Sequence, residues 1–319
     1  MLLKVYSFLV LLLDILWVTI IAIFATTRNF IRYLKPLPLK SVKDEVVMVV
    51  GTGKGVGREI AIQMSIRGAK ILCVDYNESN NTKTVALINR KGGIAHSFIC
   101  DVTKKENVDT LVEQIKSDGH FVSMLFYCCG IPSAKSLMSQ PTENVRATLD
   151  LTITGFIWLI NNFLPEMKEK NHGHIIALTS VAGLSQLKEY MALTAAQFGI
   201  QGLVASLLED LRVNKITRVH VSLIHIYPFI VEQSAEFRLT SRFYSKDKTR
   251  FNRIESIPGY FGTITPSKAA ECILDIVLCN NVEASIPMRL LYLGRLLRLL
   301  PRNAIIHIRD FLDTGVDFA

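Results

Sequence analysis

Short runs of β-branched and other apolar residues alternate through the middle of the chain with longer segments of helical periodicity. This alternation is typical of βαβ units, in which helices cover both faces of a parallel sheet. The pattern predicts seven strands, at residues 46–50, 70–74, 96–100, 123–127, 174–179, 220–226 and 282–286. The sequence therefore predicts an α/β fold with a doubly wound parallel sheet of about seven strands.

The longest apolar run lies near the N-terminus, where residues 5–25 have about the length that a bilayer core requires. Asp14 interrupts this run, at a cost of about 2.5–3.5 kcal/mol if the carboxylate is held at the membrane centre. Shallow insertion, a hairpin and a full span therefore all stay open. A cleaved signal peptide is the competing interpretation, but the run is long and lacks a small-x-small cleavage site.

Charge around the apolar run orients the chain relative to a membrane. Only Lys4 precedes the run, whereas Arg28, Arg32, Lys35 and Lys40 follow it. The positive-inside rule then leaves the main domain on the cytosolic side. We predict a membrane anchor helix at residues 1–27, a basic linker at 28–43 and the main domain at 44–286.

The segment after the last predicted strand combines leucines with arginines. The arginines of this segment are Arg289, Arg295, Arg298 and Arg302. A basic amphipathic helix on a membrane surface has this pattern, and so does a core helix whose arginines are solvated. Because the chain already carries an anchor, we predict an amphipathic, membrane-contacting extension at residues 287–319.

Composition narrows the possible partners. Of 319 residues, 50% are hydrophobic and 20% are charged, which excludes a disordered chain. The net charge of +8 is spread along the sequence and no nucleic-acid module is recognisable, so we expect no nucleic acid and favour an anionic membrane surface. The six cysteines form no CxxC pair and have no histidine at metal-site spacing, which favours reduced thiols and no metal.

The first predicted strand runs into the glycine-rich segment GTGKGVG at residues 51–57. Glycines there let the backbone turn sharply and approach a pyrophosphate, which then lies at the N-terminus of the next helix. This context predicts a Rossmann-type dinucleotide site. Its predicted cofactor-binding residues in the turn are Gly51, Gly53, Lys54, Gly55, Val56 and Gly57.

Asp75 ends the second predicted strand, where a carboxylate can bind the hydroxyls of the adenosine ribose. The same carboxylate would repel the 2′-phosphate of NADP, whereas Lys54 could attract it. Because burying a carboxylate against a phosphate is costly, we predict NAD as the cofactor. NADP is not excluded.

Three further segments carry a family resemblance: CDVT at residues 100–103, FLPEMKEKNHGHIIALTSVAG at 163–183 and HIYPF at 225–229. With the glycine turn, they resemble the short-chain dehydrogenase/reductase family over residues 44–310. Within this family, the segments are especially similar to the membrane-bound and lipid-droplet branch, which includes retinol dehydrogenases and 17β-hydroxysteroid dehydrogenases. The resemblance implies four more cofactor contacts, with adenine contacted by the first: Asp101, Val102, Gly130 and Pro228.

The resemblance also implies a catalytic quartet of serine, tyrosine, lysine and asparagine, in which the tyrosine transfers the proton and the lysine lowers its pKa. Ser180 matches the serine. The family's spacing from serine to tyrosine then leads to Leu193, and the lysine position that follows is Gln197. Thr152 holds the asparagine position.

Other departures surround the same positions. The segment that reads Asn-Asn-Ala-Gly in the family is 127–130, Tyr-Cys-Cys-Gly; Val50 replaces a threonine before the turn, and Gln233 replaces one near the carboxamide. The adenosine half of the expected cleft is thus better preserved than the nicotinamide half.

Three functional interpretations follow. The first is a pseudoenzyme that binds NAD(H) or a lipophilic ligand without turnover. The second is an NAD-dependent oxidoreductase acting on the CH–OH group of retinol-like or steroid alcohols through Tyr190, Tyr127 or a water held by Ser180. The third is a non-catalytic lipid-droplet scaffold. By resemblance we expect a homodimer on the endoplasmic reticulum membrane or lipid droplets, with the main domain facing the cytosol.

Overall fold

Seven parallel strands form one sheet in the computed structural model of the chain. They are β1 (Val46–Val50), β2 (Lys70–Asp75), β3 (Ile94–Ile99), β4 (Met124–Tyr127), β5 (Gly173–Ser180), β6 (Val219–Ile226) and β7 (Glu283–Ile286). All seven predicted strands are confirmed, each within two residues of its ends. The structure describes residues 2–34, 38–129, 142–180, 183–184, 191–226, 264–305 and 307.

The order of the strands places a crevice at the end of β1. The sheet runs β3-β2-β1-β4-β5-β6-β7, so β1 pairs with β2 on one side and with β4 on the other. Successive strands are added in one direction from β1 to β3 and in the opposite direction from β4 to β7. In open α/β sheets ligands bind beyond the carboxyl ends of the strands at the point where this order reverses, here between β1 and β4. The glycine turn leaves β1 at this place.

Helices cover both faces of the sheet. They are α2 (Gly55–Ile66), α3 (Glu78–Arg90), α4 (Lys105–Ser117), α5 (Thr142–Leu149), α6 (Gly155–Glu169), α7 (Met191–Val213), α8 (Pro266–Leu278) and α9 (Arg289–Arg298), numbered after the N-terminal helix α1 (Leu2–Leu34). One apolar cluster joins the sheet to α4, α6 and α7. A second joins it to α2 and α8, so both faces of the strands are buried.

The N-terminal helix α1 belongs to a compact unit of its own, separate from the unit that begins at Ser41. Within it, Tyr6–Arg28 has a mean hydropathy of 2.8 and no residue buried inside the protein, and its length suffices to cross a bilayer. The helix continues through Leu34, beyond the predicted end at residue 27. The helix therefore includes the first residues of the predicted linker, because residues 28–34 contain no proline or glycine and the first helix breaker is Pro36.

The C-terminal helix α9 is packed on the domain that the sequence separates from it at residue 287. Leu291 is buried, and its backbone N–H donates to Oγ of Ser285 in β7 at 2.8 Å. The predicted boundary therefore divides two parts that pack together. An amphipathic pattern predicts that one face of a helix is apolar but does not show what that face contacts. In α9, the domain buries Leu291 and Gly294.

Candidate functional site

The glycine turn and Asp75 lie side by side at the carboxyl ends of β1 and β2. Asp75 accepts a hydrogen bond from the Gly53 N–H at 2.7 Å through Oδ2 and one from the Asn77 N–H at 2.9 Å through Oδ1. A Cβ atom at position 53 would lie 2.9 Å from Oδ2, so only glycine allows this approach. The structure thus brings the predicted turn and the predicted acid together.

A buried polar network that sequence reasoning missed anchors the turn to α3. Thr52 Oγ1 donates to Asn81 Oδ1 at 2.6 Å, and Thr84 Oγ1 donates to the Thr52 carbonyl at 2.9 Å. The Asn81 amide also donates to backbone carbonyls of β2 and β3. The sequence signal was available, because Asn81, Thr84 and Ile88 share the buried face of one helix.

Two cations line a pocket of about 310 Å³ where the N-terminal ends of α2 and α8 meet. Lys54 is exposed, and Arg58, one turn further along, has a buried Nε without a hydrogen-bond partner in the described part of the chain. The remaining lining residues are Gly55, Glu59, Thr265, Pro266 and Ser267. Sequence reasoning found Lys54 and missed Arg58, although a spacing of four places both on one helical face.

The remaining turn residues differ in exposure. Gly57 is buried, Val56 packs against the second apolar cluster, and Gly55 opens α2 with no atom near the position of a Cβ. Open space before the first turn of a helix fits a phosphate, because the N–H groups there have no partners within the helix. These residues therefore fit the adenosine diphosphate half of a dinucleotide.

The residues expected to border the adenine follow β3. Asp101 Oδ1 accepts from Thr103 Oγ1 at 2.6 Å, which fixes the carboxylate in a local turn. Val102 is buried, and a Cβ at Gly155 would lie 2.5 Å from its carbonyl oxygen, so this turn packs closely against the start of α6. The predicted contacts Gly130 and Pro228 lie outside the described residues.

The four positions of the expected catalytic quartet lie on three neighbouring elements. Ser180 ends β5, Leu193 and Gln197 lie one turn apart on α7, and Thr152 lies in a π-helix, Asp150–Thr154, between α5 and α6. All four are buried, and α7 packs against both β5 and the π-helix. π-Helical turns occur frequently at functional sites. Tyr190 and Gln233 lie outside the described residues.

Gln197 is part of the protein's internal hydrogen bonding. Its Oε1 accepts from the Ser180 N–H at 2.9 Å and from the Thr179 hydroxyl, and only 4% of the residue is exposed. One turn later, Gln201 Nε2 donates to the Gly183 carbonyl. The position therefore requires an acceptor, whereas the lysine of the family has only donors.

Tyr127 fills the interior beside the π-helix. Its ring stacks on Phe156 at 4.7 Å between centroids, its hydroxyl donates to the Leu151 carbonyl, and 2% of the residue is exposed. Burial raises the pKa of the Tyr127 hydroxyl well above its ordinary value. The expectation that Tyr127 could serve as an unconventional acid is therefore wrong, because its proton is committed to a backbone carbonyl inside the core.

The next two residues, Cys128 and Cys129, are free thiols. Burial raises the pKa of Cys129 to about 12 and that of Cys128 well above its ordinary value, so both stay protonated at neutral pH. A protonated thiol is a poor nucleophile and a poor metal ligand. Within the part of the chain that the structure describes, no cluster of His, Cys, Asp and Glu could hold a metal ion.

Replacing Tyr127 by phenylalanine is expected to lower the free energy of unfolding by about 1–3 kcal/mol, since the Leu151 carbonyl loses its donor in the core. Urea denaturation measures this difference. The matched control is Tyr76→Phe, at a tyrosine that is 73% exposed, where we expect no change. Equal stabilities of the two variants would contradict the role of the Tyr127 hydroxyl.

Comparisons of this chain with known protein families and known proteins agree with the fold and the site described above. Residues 45–238 match the family model described as short chain dehydrogenase. Human epidermal retinol dehydrogenase 2 is 26% identical over 292 residues, 91% of this chain and 89% of that protein. Rat estradiol 17-beta-dehydrogenase 11 is 27% identical over 211 residues, 66% of this chain and 71% of that protein.

Solved structures show the same fold. A short chain dehydrogenase/reductase from Burkholderia phymatum, in complex with NAD, is 20% identical with a TM-score of 0.68, and the match covers 85% of this chain and 97% of that one. The resemblance drawn from the sequence is thus confirmed, and the chain belongs to the short-chain dehydrogenase family.

Proposed function

We propose that this chain is a membrane-anchored pseudoenzyme of its family, which binds NAD(H), a lipophilic ligand or both without turnover. One observation carries the proposal: Gln197 is buried and its side-chain oxygen is taken up by the Ser180 N–H and the Thr179 hydroxyl. A buried amide in this role supplies no positive charge. Leu193, one turn earlier, has no proton to give.

The proposal follows from what the reaction demands. Oxidation of an alcohol by a nicotinamide removes a hydride from carbon and a proton from oxygen, and the proton needs an acceptor beside the hydroxyl. Loss of general acid–base help typically costs about 10²–10⁴-fold in rate, and a misplaced nicotinamide ribose adds to that loss. Ser180 alone supplies neither a base nor a ribose contact.

The adenosine half of the crevice supports NAD as the cofactor. The Asp75 carboxylate lies beside the turn, held by the N–H groups of Gly53 and Asn77, where it would repel a 2′-phosphate. Lys54 and Arg58 favour the opposite choice, but they line the pocket on the α8 side of α2. We therefore propose NAD first and keep NADP as the second candidate.

Partners and location belong to the same proposal. The apolar helix Tyr6–Arg28 and the basic residues after it support anchoring in the endoplasmic reticulum membrane or on lipid droplets, with the domain on the cytosolic side. Relatives named for retinol and estradiol support a lipophilic ligand. A homodimer is supported by α6 and α7, where Ile157, Trp158 and Leu203 remain partly exposed.

Calorimetric titration and turnover assays test the proposal on the full-length protein in lipid nanodiscs. We expect micromolar binding of NAD⁺ or NADH, and no oxidation of all-trans-retinol or estradiol above the background of the reagents. Turnover would support the alternative, an oxidoreductase with an unconventional acid. Absence of binding by folded protein would leave the scaffold interpretation.

Replacing Asp75 by alanine is expected to weaken NAD⁺ binding about tenfold or more, because a hydrogen bond to a charged group contributes about 1.5–3 kcal/mol. NADP⁺ binding should weaken less or improve, since the repulsion of its 2′-phosphate is removed. Asp109→Ala, at an exposed acid on α4, is the control and should change neither affinity. An unchanged preference in Asp75→Ala would contradict the assignment of this carboxylate.

A further inference from the structure

Helix α9 presents two different faces. On one face, Leu291 is buried, and Gly294 packs so closely on the domain that a Cβ there would lie 3.0 Å from Leu184 Cβ. The backbone N–H of Leu291 also donates to the hydroxyl of Ser285 in β7. This face fixes the orientation of the helix on the domain and so determines which residues point outward.

The outward face carries large apolar side chains. Met288, Tyr292, Leu296 and Leu299 are 47%, 56%, 58% and 82% exposed, respectively. Their spacing of four, four and three residues places them on one side of the helix, and we name this set the apolar stripe. A contiguous exposed patch of this kind marks an interaction surface more often than a chance exposure.

Every charged residue between Glu283 and Asp310 is an arginine. Arg295 pairs with Glu283, and Arg298 donates to the Gly183 carbonyl while its guanidinium lies 4.8 Å from the centre of the Phe198 ring. Arg289 and Arg302 are exposed, with no ion pair in the described part of the chain. Between Glu283 and Asp310 the sequence contains no acidic residue.

We propose that α9 lies flat on an anionic lipid surface, with the apolar stripe in the boundary between headgroups and acyl chains. An apolar stripe flanked by arginines is typical of an interfacial helix. The apolar side of such a helix enters the boundary between headgroups and acyl chains, while its cations contact anionic headgroups. A second copy of the chain fits less well, because pairing two stripes would bring uncompensated arginines together. The membrane contact of α9 is additional to the anchoring proposed for α1.

This contact would place the candidate site beside the lipid. Through Arg298 and Gly294, α9 holds Gly183 and Leu184, which follow Ser180 at the end of β5. A ligand dissolved in the membrane could then reach the crevice without crossing water. Access of a lipophilic ligand rests on the proposed function. The docking of α9 on lipid does not depend on that function.

Photolabelling of the full-length protein tests the docking of α9. The protein is reconstituted in phosphatidylcholine vesicles, with or without phosphatidylserine, that contain a diazirine-bearing phosphatidylcholine as the probe. After irradiation, peptide mass spectrometry measures the labelling of α9. Helix α1 is the internal positive control, and helix α3 is the negative control. We expect labelled α9, with about fivefold more label in phosphatidylserine vesicles, the change expected for one arginine near an anionic surface.

Paired variants separate the apolar stripe from general exposure. Leu296→Ser with Leu299→Ser should remove the label from α9 and leave that on α1, whereas the control Val282→Ser, at a residue 50% exposed outside the stripe, should change neither. Thermal melting of each variant verifies folding. Labelled α1 with unlabelled α9 in the parent protein would overturn the proposal, as would crosslinks between the α9 helices of two copies. Neither result would bear on cofactor binding.

Discussion

Lysine at position 197 is expected to destabilise this protein by about 3 kcal/mol or more, because the substitution removes an acceptor and buries an ammonium. In the parent, Gln197 Oε1 accepts from the Ser180 N–H and the Thr179 hydroxyl at a site that is 4% exposed. Lysine has no acceptor atom, so both donors would lose their partner. Chemical denaturation of Gln197→Lys against the parent measures the loss.

The matched control is the same substitution one turn further along α7. Gln201 uses its amide as a donor to the Gly183 carbonyl and is only partly buried, so lysine there can keep the bond and reach water. We expect Gln201→Lys to cost less than about 1 kcal/mol, as for substitutions away from the core. A Gln197→Lys protein as stable as the parent would show that the site accommodates the family's lysine.

The combination Leu193→Tyr with Gln197→Lys adds the functional side of the same experiment. If the double variant folds and oxidises retinol or estradiol, the remaining crevice is competent and only the two side chains were missing. If it is destabilised without turnover, the surrounding contacts have adapted to leucine and glutamine. The structure favours the second result, because the end of β5 is hydrogen-bonded to the glutamine itself.

The sequence anticipated most of the sheet for a simple reason. Buried parallel strands are short apolar runs, and each of the seven is separated from the next by a turn or a helical segment that the pattern also reveals. The approach of Asp75 to the glycine turn follows from the same logic, since both end adjacent parallel strands. Local composition and strand adjacency together were enough to predict that the turn and this carboxylate lie side by side.

The missed contacts join elements that are distant in the sequence. The Thr179 hydroxyl donates a hydrogen bond to Gln197, and the Tyr127 hydroxyl donates one to the Leu151 carbonyl. The Thr52 hydroxyl donates one to Asn81. A pattern of residue types shows that these side chains are polar, but their partners depend on how helices sit on the sheet. For the same reason the sequence predicted that Gln197 replaces the family's lysine but did not reveal the hydrogen bonds that this side chain makes.

The two helices at the ends of the chain were predicted less accurately than the strands. Helix α1 extends past its apolar run because a helix needs only the absence of breakers, whereas membrane insertion needs apolar residues. At α9 the amphipathic pattern left a core helix and a surface helix open. The structure shows a helix that buries Leu291 and exposes Leu296, so each interpretation describes one of its faces.

Alanine at position 57 is expected to abolish dinucleotide binding and to lower the free energy of unfolding by about 1–3 kcal/mol, as overpacking does. A Cβ there would lie 2.1 Å from the Gly51 carbonyl oxygen and 3.1 Å from Cys128 Cβ. The nearest obstacle is backbone, so no rotamer change can relieve it, and the turn must open. Opening moves the N–H groups at the start of α2 away from the position that a pyrophosphate requires.

Calorimetric titration of NAD⁺ into Gly57→Ala, beside urea denaturation, measures both effects. The control is Gly202→Ala on α7, where no atom lies within 4 Å of the added Cβ, and where we expect unchanged binding and a gain of roughly 0.5–1 kcal/mol. Lost binding with a small loss of stability would place the function of the tight turn in the cofactor site. Parent-like stability and affinity in Gly57→Ala would contradict the close approach of Gly51 and Gly57 on which the proposed nucleotide site depends.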